Sequence, residues 1–119
     1  MSFVRVTNAA SVRPAWLRAG TGADAAVQFA ATVGGRAEVY VDGGIRSGVD
    51  VLRALAMGAK AVGVGRPVFW GLAANGVQGV GDVIGTMTAQ LRQAMASVGA
   101  GSVDRIDRSM ISSQLDAGR

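Results

Sequence analysis

The sequence predicts a parallel α/β fold, and three observations carry that expectation. Two short apolar runs, Val39-Tyr40-Val41 and Ala61 to Val64, have the length and β-branched character of buried strands. Each runs into a turn rich in glycine and arginine, Asp42-Gly43-Gly44-Ile45-Arg46 and Gly63-Val64-Gly65-Arg66-Pro67, and each turn opens into a helical pattern. One short helical stretch separates the two units, as a crossover between parallel neighbours requires.

Residues 1–22 show no clear period. Arg5, Arg13, Pro14, Arg18, Gly20 and Gly22 interrupt the apolar residues, so this segment is expected to be divergent and poorly ordered. Regularity begins at Ala23. Ala23 to Val33 is Ala-rich, with Val27, Ala30 and Ala31 at helical spacing, and Gly34-Gly35 stops it. Glu38 to Val41 follows as the first strand. Ser47-Gly48-Val49-Asp50 matches a capping pattern, in which the serine hydroxyl takes an N–H of the first turn. The helix it opens carries Val51, Leu52, Leu55 and Ala56 on one side and ends at Gly58. Ala61 to Val64 is the second strand, small and β-branched as expected of a strand covered on both faces. A short helical turn, Val68 to Ala74, then leads through Asn75-Gly76 into a long amphipathic helix. Val80, Val83, Ile84, Met87, Leu91, Met95 and Val98 recur along it at steps of mostly three or four residues, and Gly99 stops it. A last helical stretch is expected from about Ser102 to Leu115.

Composition excludes several classes of function. With 119 residues the chain makes one domain at most. Half of it is hydrophobic and 17% charged, too apolar for a disordered chain. Neither cysteine nor histidine occurs, which removes disulfides, thiol chemistry and ordinary zinc or haem sites. Twelve basic residues against eight acids give a net charge of +4, spread along the chain with only six aromatic residues. That is not the basic stripe of a nucleic-acid binder. No apolar run approaches the roughly 18 residues of a membrane span, and no signal-peptide core is visible. The expectation is a cytoplasmic protein with neither a nucleic-acid partner nor a membrane span.

The two turns supply the parts of an anion site. In a (β/α)8 barrel a phosphate commonly sits between the last two strand–helix loops, at the start of a short extra helix. Gly43 and Gly44 let the backbone approach an anion closely, while Arg46 and Arg66 offer forked, charge-assisted donors. Pro67 sits just inside the short helix, where its missing N–H costs nothing. The competing reading makes Asp-Gly-Gly a plain turn and the arginines surface charges. Two such turns in register with two strands and an extra helix favour the anion site.

Four segments carry a family resemblance: Val41 to Val51, Ala54-Leu55-Ala56-Met57-Gly58-Ala59, Gly63-Val64-Gly65-Arg66-Pro67 and Trp70 to Val80. With them, Tyr40 through about Ser113 resembles the C-terminal end of the FMN-dependent α-hydroxy-acid dehydrogenase/oxidase family, which includes glycolate oxidase, lactate oxidase and flavin-type L-lactate dehydrogenase. Other phosphate-binding barrels resemble the first two segments. Gly-Arg-Pro followed by Leu-Ala-Ala-x-Gly-x-x-Gly-Val is more particular to the hydroxy-acid enzymes. The resemblance implies that residues 23–119 are the C-terminal portion of a (β/α)8 barrel, about the last two βα units plus a short extra helix.

It also implies FMN as cofactor and oxidation of an L-2-hydroxy acid to a 2-oxo acid through the flavin. Carried over by position, the FMN contacts are Asp42, Gly43, Gly44, Ile45 (through its backbone), Arg46, Gly65 and Arg66. The family's base and carboxylate-gripping arginine lie in a Ser-Asn-His-Gly-Gly-Arg-Gln-type loop. Here Val6-Thr7-Asn8-Ala9-Ala10-Ser11-Val12-Arg13 stands there, with Ala9 at the histidine and Val12 at the arginine, so no catalytic residue carries over. A full barrel needs ~250 residues. The chain is therefore expected to lack turnover alone and to self-associate or pair with a complementary barrel fragment. Two other readings stay open: a non-catalytic phosphate-binding or assembly module of a split barrel, and a small phosphate-ligand binder unrelated to flavins.

Overall fold

The computed structural model describes the backbone of Phe3–Thr7, together with Thr32, Gly35, Arg36 and residues 38–111. Three strands, β1 (Phe3–Thr7), β2 (Glu38–Asp42) and β3 (Ala61–Gly63), form one parallel sheet in the order β1-β2-β3. Phe3 pairs with Glu38 and Thr7 with Asp42, while Tyr40 pairs with Ala61 and Asp42 with Gly63. The strand β1 was not among the expected elements, which began with the helix at Ala23. Its five residues alternate Phe, Val, Arg, Val, Thr, a pattern too short and too interrupted by Arg5 to stand out without a neighbouring strand. The helix expected over Ala23 to Val33 lies outside the described residues apart from Thr32.

Along β2, Val39 and Val41 are buried while Glu38, Tyr40 and Asp42 are half-buried, so β2 has one core face. The expectation that the second strand is covered on both faces is not met. Ala61 is exposed, while Val62, on the opposite face, packs against the core, so only one face of β3 is covered.

Helix α1 (Gly48–Ala56) begins where its sequence says it should. Ser47 is extended at the N-cap, and its hydroxyl accepts from the Asp50 N–H at 3.3 Å. The helix buries Leu52, Ala54 and Ala56, with Val51 and Leu55 half-buried. Gly58, in the left-handed region at φ 104°, ends it. Ala59 is buried, and the Lys60 N–H donates to the Val39 carbonyl at 2.7 Å, which seats the chain beside β2 before β3 begins.

Helix α2 (Arg66–Val98) is two helical parts with a break between them. Asn75 (φ −152°, ψ 32°) and Gly76 (φ 58°, ψ −143°) leave helical geometry, at the dipeptide read as a turn. The two parts then cross at glycines. A Cβ on Gly71 would meet the Gly79 carbonyl, and a Cβ on Gly79 would meet the Gly71 carbonyl. Gly99, at φ 76°, terminates α2. Of the helix expected from Ser102 to Leu115, residues 112–115 lie outside the described ones; over the rest, two single 3-10 turns stand in its place, Val103–Arg105 and Arg108–Met110. Extended backbone at Ile106 and Asp107 separates them. Asp107 caps the second turn by accepting from the Ser109 hydroxyl and N–H, which hold its carboxyl below the usual carboxylate range.

Val41, Ile45, Ala54, Ala59 and Met87 form the core, with Val51, Val62, Val64 and Val83 packed against it. It is small, and large side chains remain outside it. Phe69 is 68% exposed, Trp70 55% and Val77 86%, and together they leave the first part of α2 and its corner unpartnered.

The glycine crossing predicts opposite outcomes at neighbouring positions of α2. Gly79→Ala is expected to lower the unfolding free energy by about 1–3 kcal/mol, because its methyl has no space. Gly81→Ala, where a Cβ meets nothing within 4 Å, is expected to raise it by about 1 kcal/mol. Urea denaturation followed by circular dichroism measures both, and equal effects at the two sites would contradict the crossing.

Candidate functional site

The strand register creates the site. Thr7, Asp42 and Gly63 lie abreast, so the segments that follow the three strands leave from one edge of the sheet. Of these, the segment after β1, with Ala9, Val12 and Arg13, lies outside the described residues. The other two are the glycine–arginine turns.

In the first turn Gly43 (φ 102°) and Gly44 (φ 76°) are both left-handed, a pair of dihedrals that side chains with a Cβ resist. A Cβ on Gly44 would meet nothing within 4 Å, so glycine serves the backbone conformation there and the surface above it is open. Ile45 is buried and anchors the turn in the core, while Arg46 is exposed. The Arg46 N–H donates to Asp50 Oδ2 at 3.1 Å. Ser47 and Asp50 thus bind each other's neighbourhood reciprocally and hold the arginine at the entrance to α1. The pair Arg53–Asp50, 3.8 Å apart and solvent-exposed, adds little.

The second turn lies beside it. An ideal Cβ on Gly63 would stand 3.1 Å from Asp42 Cγ, so the Asp42 carboxylate lies over this glycine. Gly65 is the N-cap of α2 and offers no side-chain cap; its carbonyl accepts from the N–H groups of Val68 and Phe69. Pro67 follows immediately inside the helix and Arg66 is exposed. The partly positive start of α2, with Arg66 as its first residue, therefore lies at the same end of the sheet as Gly43 and Gly44. A cavity of about 280 Å³ between the start of α1 and both parts of α2 is lined by Arg46 and Pro67, one residue from each turn, with Trp70, Asp82, Met87 and Gln90 among its walls.

The strand register brings the two glycine–arginine turns, with Arg46 and Arg66 exposed on them, to one end of the sheet. Asp42, Gly43, Gly44, Ile45, Arg46, Gly65 and Arg66 all lie on the two adjoining turns. Proton-transfer groups are scarce. The chain has no histidine, and the Tyr40 phenol is raised above its ordinary value by its hydrogen bond to Glu38. Among the described residues no cluster of potential ligands could hold a metal ion, and no helix is long and apolar enough to cross a membrane. One residue escaped the sequence reading altogether. Gln90 Oε1 accepts from the Gly48 N–H at 2.9 Å, across 42 positions, and no local pattern announces such a pairing.

The family model for FMN-dependent dehydrogenase matches residues 18–113. The chain is 47% identical over 88 residues to human 2-hydroxyacid oxidase 2, covering 74% of this chain and 25% of that protein. It is 49% identical over 88 residues to L-lactate oxidase of Nostoc sp., covering 74% of this chain and 24% of that protein. Among solved structures, a mandelate oxidase variant bearing a monooxide FMN adduct superposes with a TM-score of 0.76 and 41% identity, over 90% of this chain and 33% of that one. An (S)-mandelate dehydrogenase variant gives a TM-score of 0.70 at 33% identity, over 74% of this chain and 24% of that one. The chain spans about a quarter of the length of the curated relatives it matches. Its three parallel strands are accordingly a portion of a (β/α)8 barrel.

The reciprocal cap predicts that Ser47→Ala costs about 1 kcal/mol of stability through loss of the Asp50 N–H acceptor. Gly44→Ala is expected to cost a similar amount, about 1 kcal/mol, through its left-handed backbone alone. Urea midpoints unchanged from the parent in both variants would contradict this description of the turn.

Proposed function

The chain belongs to the FMN-dependent dehydrogenase family, and from that premise we propose that its paired glycine–arginine turns hold the phosphate end of FMN. The alignment of Asp42 with Gly63, which sets the two turns side by side, carries the proposal. Gly43, Gly44 and Ile45 present backbone N–H groups, Arg46 and Arg66 pair with phosphate oxygens, and Gly65 leaves room at the uncapped start of α2. Asp42, the acid at this edge, faces the ribityl hydroxyls rather than the phosphate, since a carboxylate repels an anion and accepts from a hydroxyl.

Bound FMN supplies the acceptor for the two electrons removed from a substrate. The relatives' names point to 2-hydroxy acids, whose oxidation to 2-oxo acids is the reaction class we assign. The chain's own residues anchor the cofactor. They include no histidine to act as a base, and Ala9 stands where the resemblance places it. We therefore assign this chain cofactor anchoring without turnover on its own. The exposed Phe69, Trp70, Leu72 and Val77, together with the quarter-length match, support a second element of the proposal. These faces pack against further barrel segments, or against copies of the chain when such segments are absent.

Titration of FMN and riboflavin into the full chain, read by flavin fluorescence, tests the anchoring. FMN is expected to bind more tightly than riboflavin, and Arg46→Ala or Arg66→Ala to weaken FMN about 10- to 100-fold each. Equal binding of the two flavins, or indifference to both substitutions, would overturn the phosphate assignment. Sedimentation velocity is expected to show association that grows with concentration; a monomer throughout would remove the assembly element. Turnover of an L-2-hydroxy acid by the chain alone would refute the claim that it only anchors.

A further inference from the structure

We propose that Gln90 is the positioning residue that fixes Arg46 relative to Arg66, an inference that rests on the phosphate reading above. The first N–H groups of a helix have no partner within it. In α1, Ser47 Oγ takes the Asp50 N–H, and the Gly48 N–H goes to Gln90 Oε1 at 2.9 Å. Gly48 also has no room for a side chain. A Cβ there would meet the Leu91 nitrogen and stand 2.5 Å from the Met87 carbonyl oxygen and 2.6 Å from the Gln90 carbonyl carbon. The first turn of α1 therefore lies directly on the backbone of the second part of α2, and Gln90 fastens it there.

The consequence is geometric. Arg66 is the first residue of α2, so α2 carries one arginine covalently. The other, Arg46, sits two residues before Gly48, and its own N–H is tied to Asp50 within the first turn of α1. The Gly71–Gly79 contact holds the angle between the two parts of α2. A closed circuit results, running from Arg46 through Gly48, Gln90, Gly79 and Gly71 to Arg66, with the Asp42–Gly63 register completing it on the strand side. Gln90 and Arg46 line the same cavity, so the fastening is beside the arginine it serves. Removing the acceptor opens the circuit at the hydrogen bond that joins α1 to α2 and lets the Arg46 turn move relative to the start of α2.

The test compares the full chain with Gln90→Met, which keeps length and helix propensity but lacks the acceptor, and Gln90→Glu, which keeps an acceptor. Two quantities are read: FMN affinity by fluorescence and amide exchange at Gly48 by NMR. Gln90→Met is expected to weaken FMN about 2- to 10-fold and to speed Gly48 exchange by at least as much. Gln90→Glu restores slow Gly48 exchange, and in an Arg46→Ala background Gln90→Met causes no further loss of FMN affinity. If Gln90→Met needs support to fold, the same comparison is made with Gly81→Ala present throughout. Unchanged FMN affinity despite fast Gly48 exchange, or losses from Gln90→Met and Arg46→Ala that add in full, would overturn the positioning role. Indifference of FMN affinity to both arginine substitutions refutes instead the phosphate reading on which the role depends, while Gly48 exchange still reports whether Gln90 holds α1.

Discussion

Parallel pairing aligns Asp42 with Gly63, and the arrangement of the site depends on that alignment. A parallel sheet sends every strand's exit to the same side, so two turns about twenty residues apart in sequence become neighbours. A slip of one residue in β2 would turn Val39 and Val41 away from the core and carry Gly43 and Gly44 away from Gly65. The hydrophobic alternation of β2 thus guards the site's geometry as well as the core.

Glycine does a different job at each level of this structure. At Gly43 and Gly44 it permits left-handed backbone beneath an open surface. At Gly48, Gly71 and Gly79 it permits backbone to lie against backbone, which brings the helices close enough for Gln90 to reach α1. Both uses serve the same end. The turns gain their shape from the first group of glycines and their fixed separation from the second.

The core that results is modest. It is built from valine, alanine, one isoleucine, one leucine and one methionine, while Phe69, Trp70, Leu72 and Val77 stay at the surface. A portion of a barrel has this character for a physical reason. Barrel strands and helices are each covered by neighbours on both sides, and a few of them alone leave those neighbour-facing surfaces to water.

Much is legible in the sequence wherever a few adjacent residues carry the physics. Ser47 with Asp50, Asn75-Gly76 and Gly99 each mark a helix boundary through local hydrogen bonding or dihedral preference, and each lies where it was read. The glycine–arginine turns were visible for the same reason. Local patterns gave less at the ends of the chain. The strand Phe3–Thr7 declares itself only by pairing with β2, and the stretch after Gly99 has helical composition yet makes two separate turns because Asp107 caps the second from extended backbone. The sequence alone determined the elements and the chemistry of the anion-binding groups, which are properties of neighbouring residues. Tertiary structure decided which turns share an edge, which glycines are filled by another helix, and that Gln90 is the partner of Gly48, because those depend on atoms brought together across tens of residues.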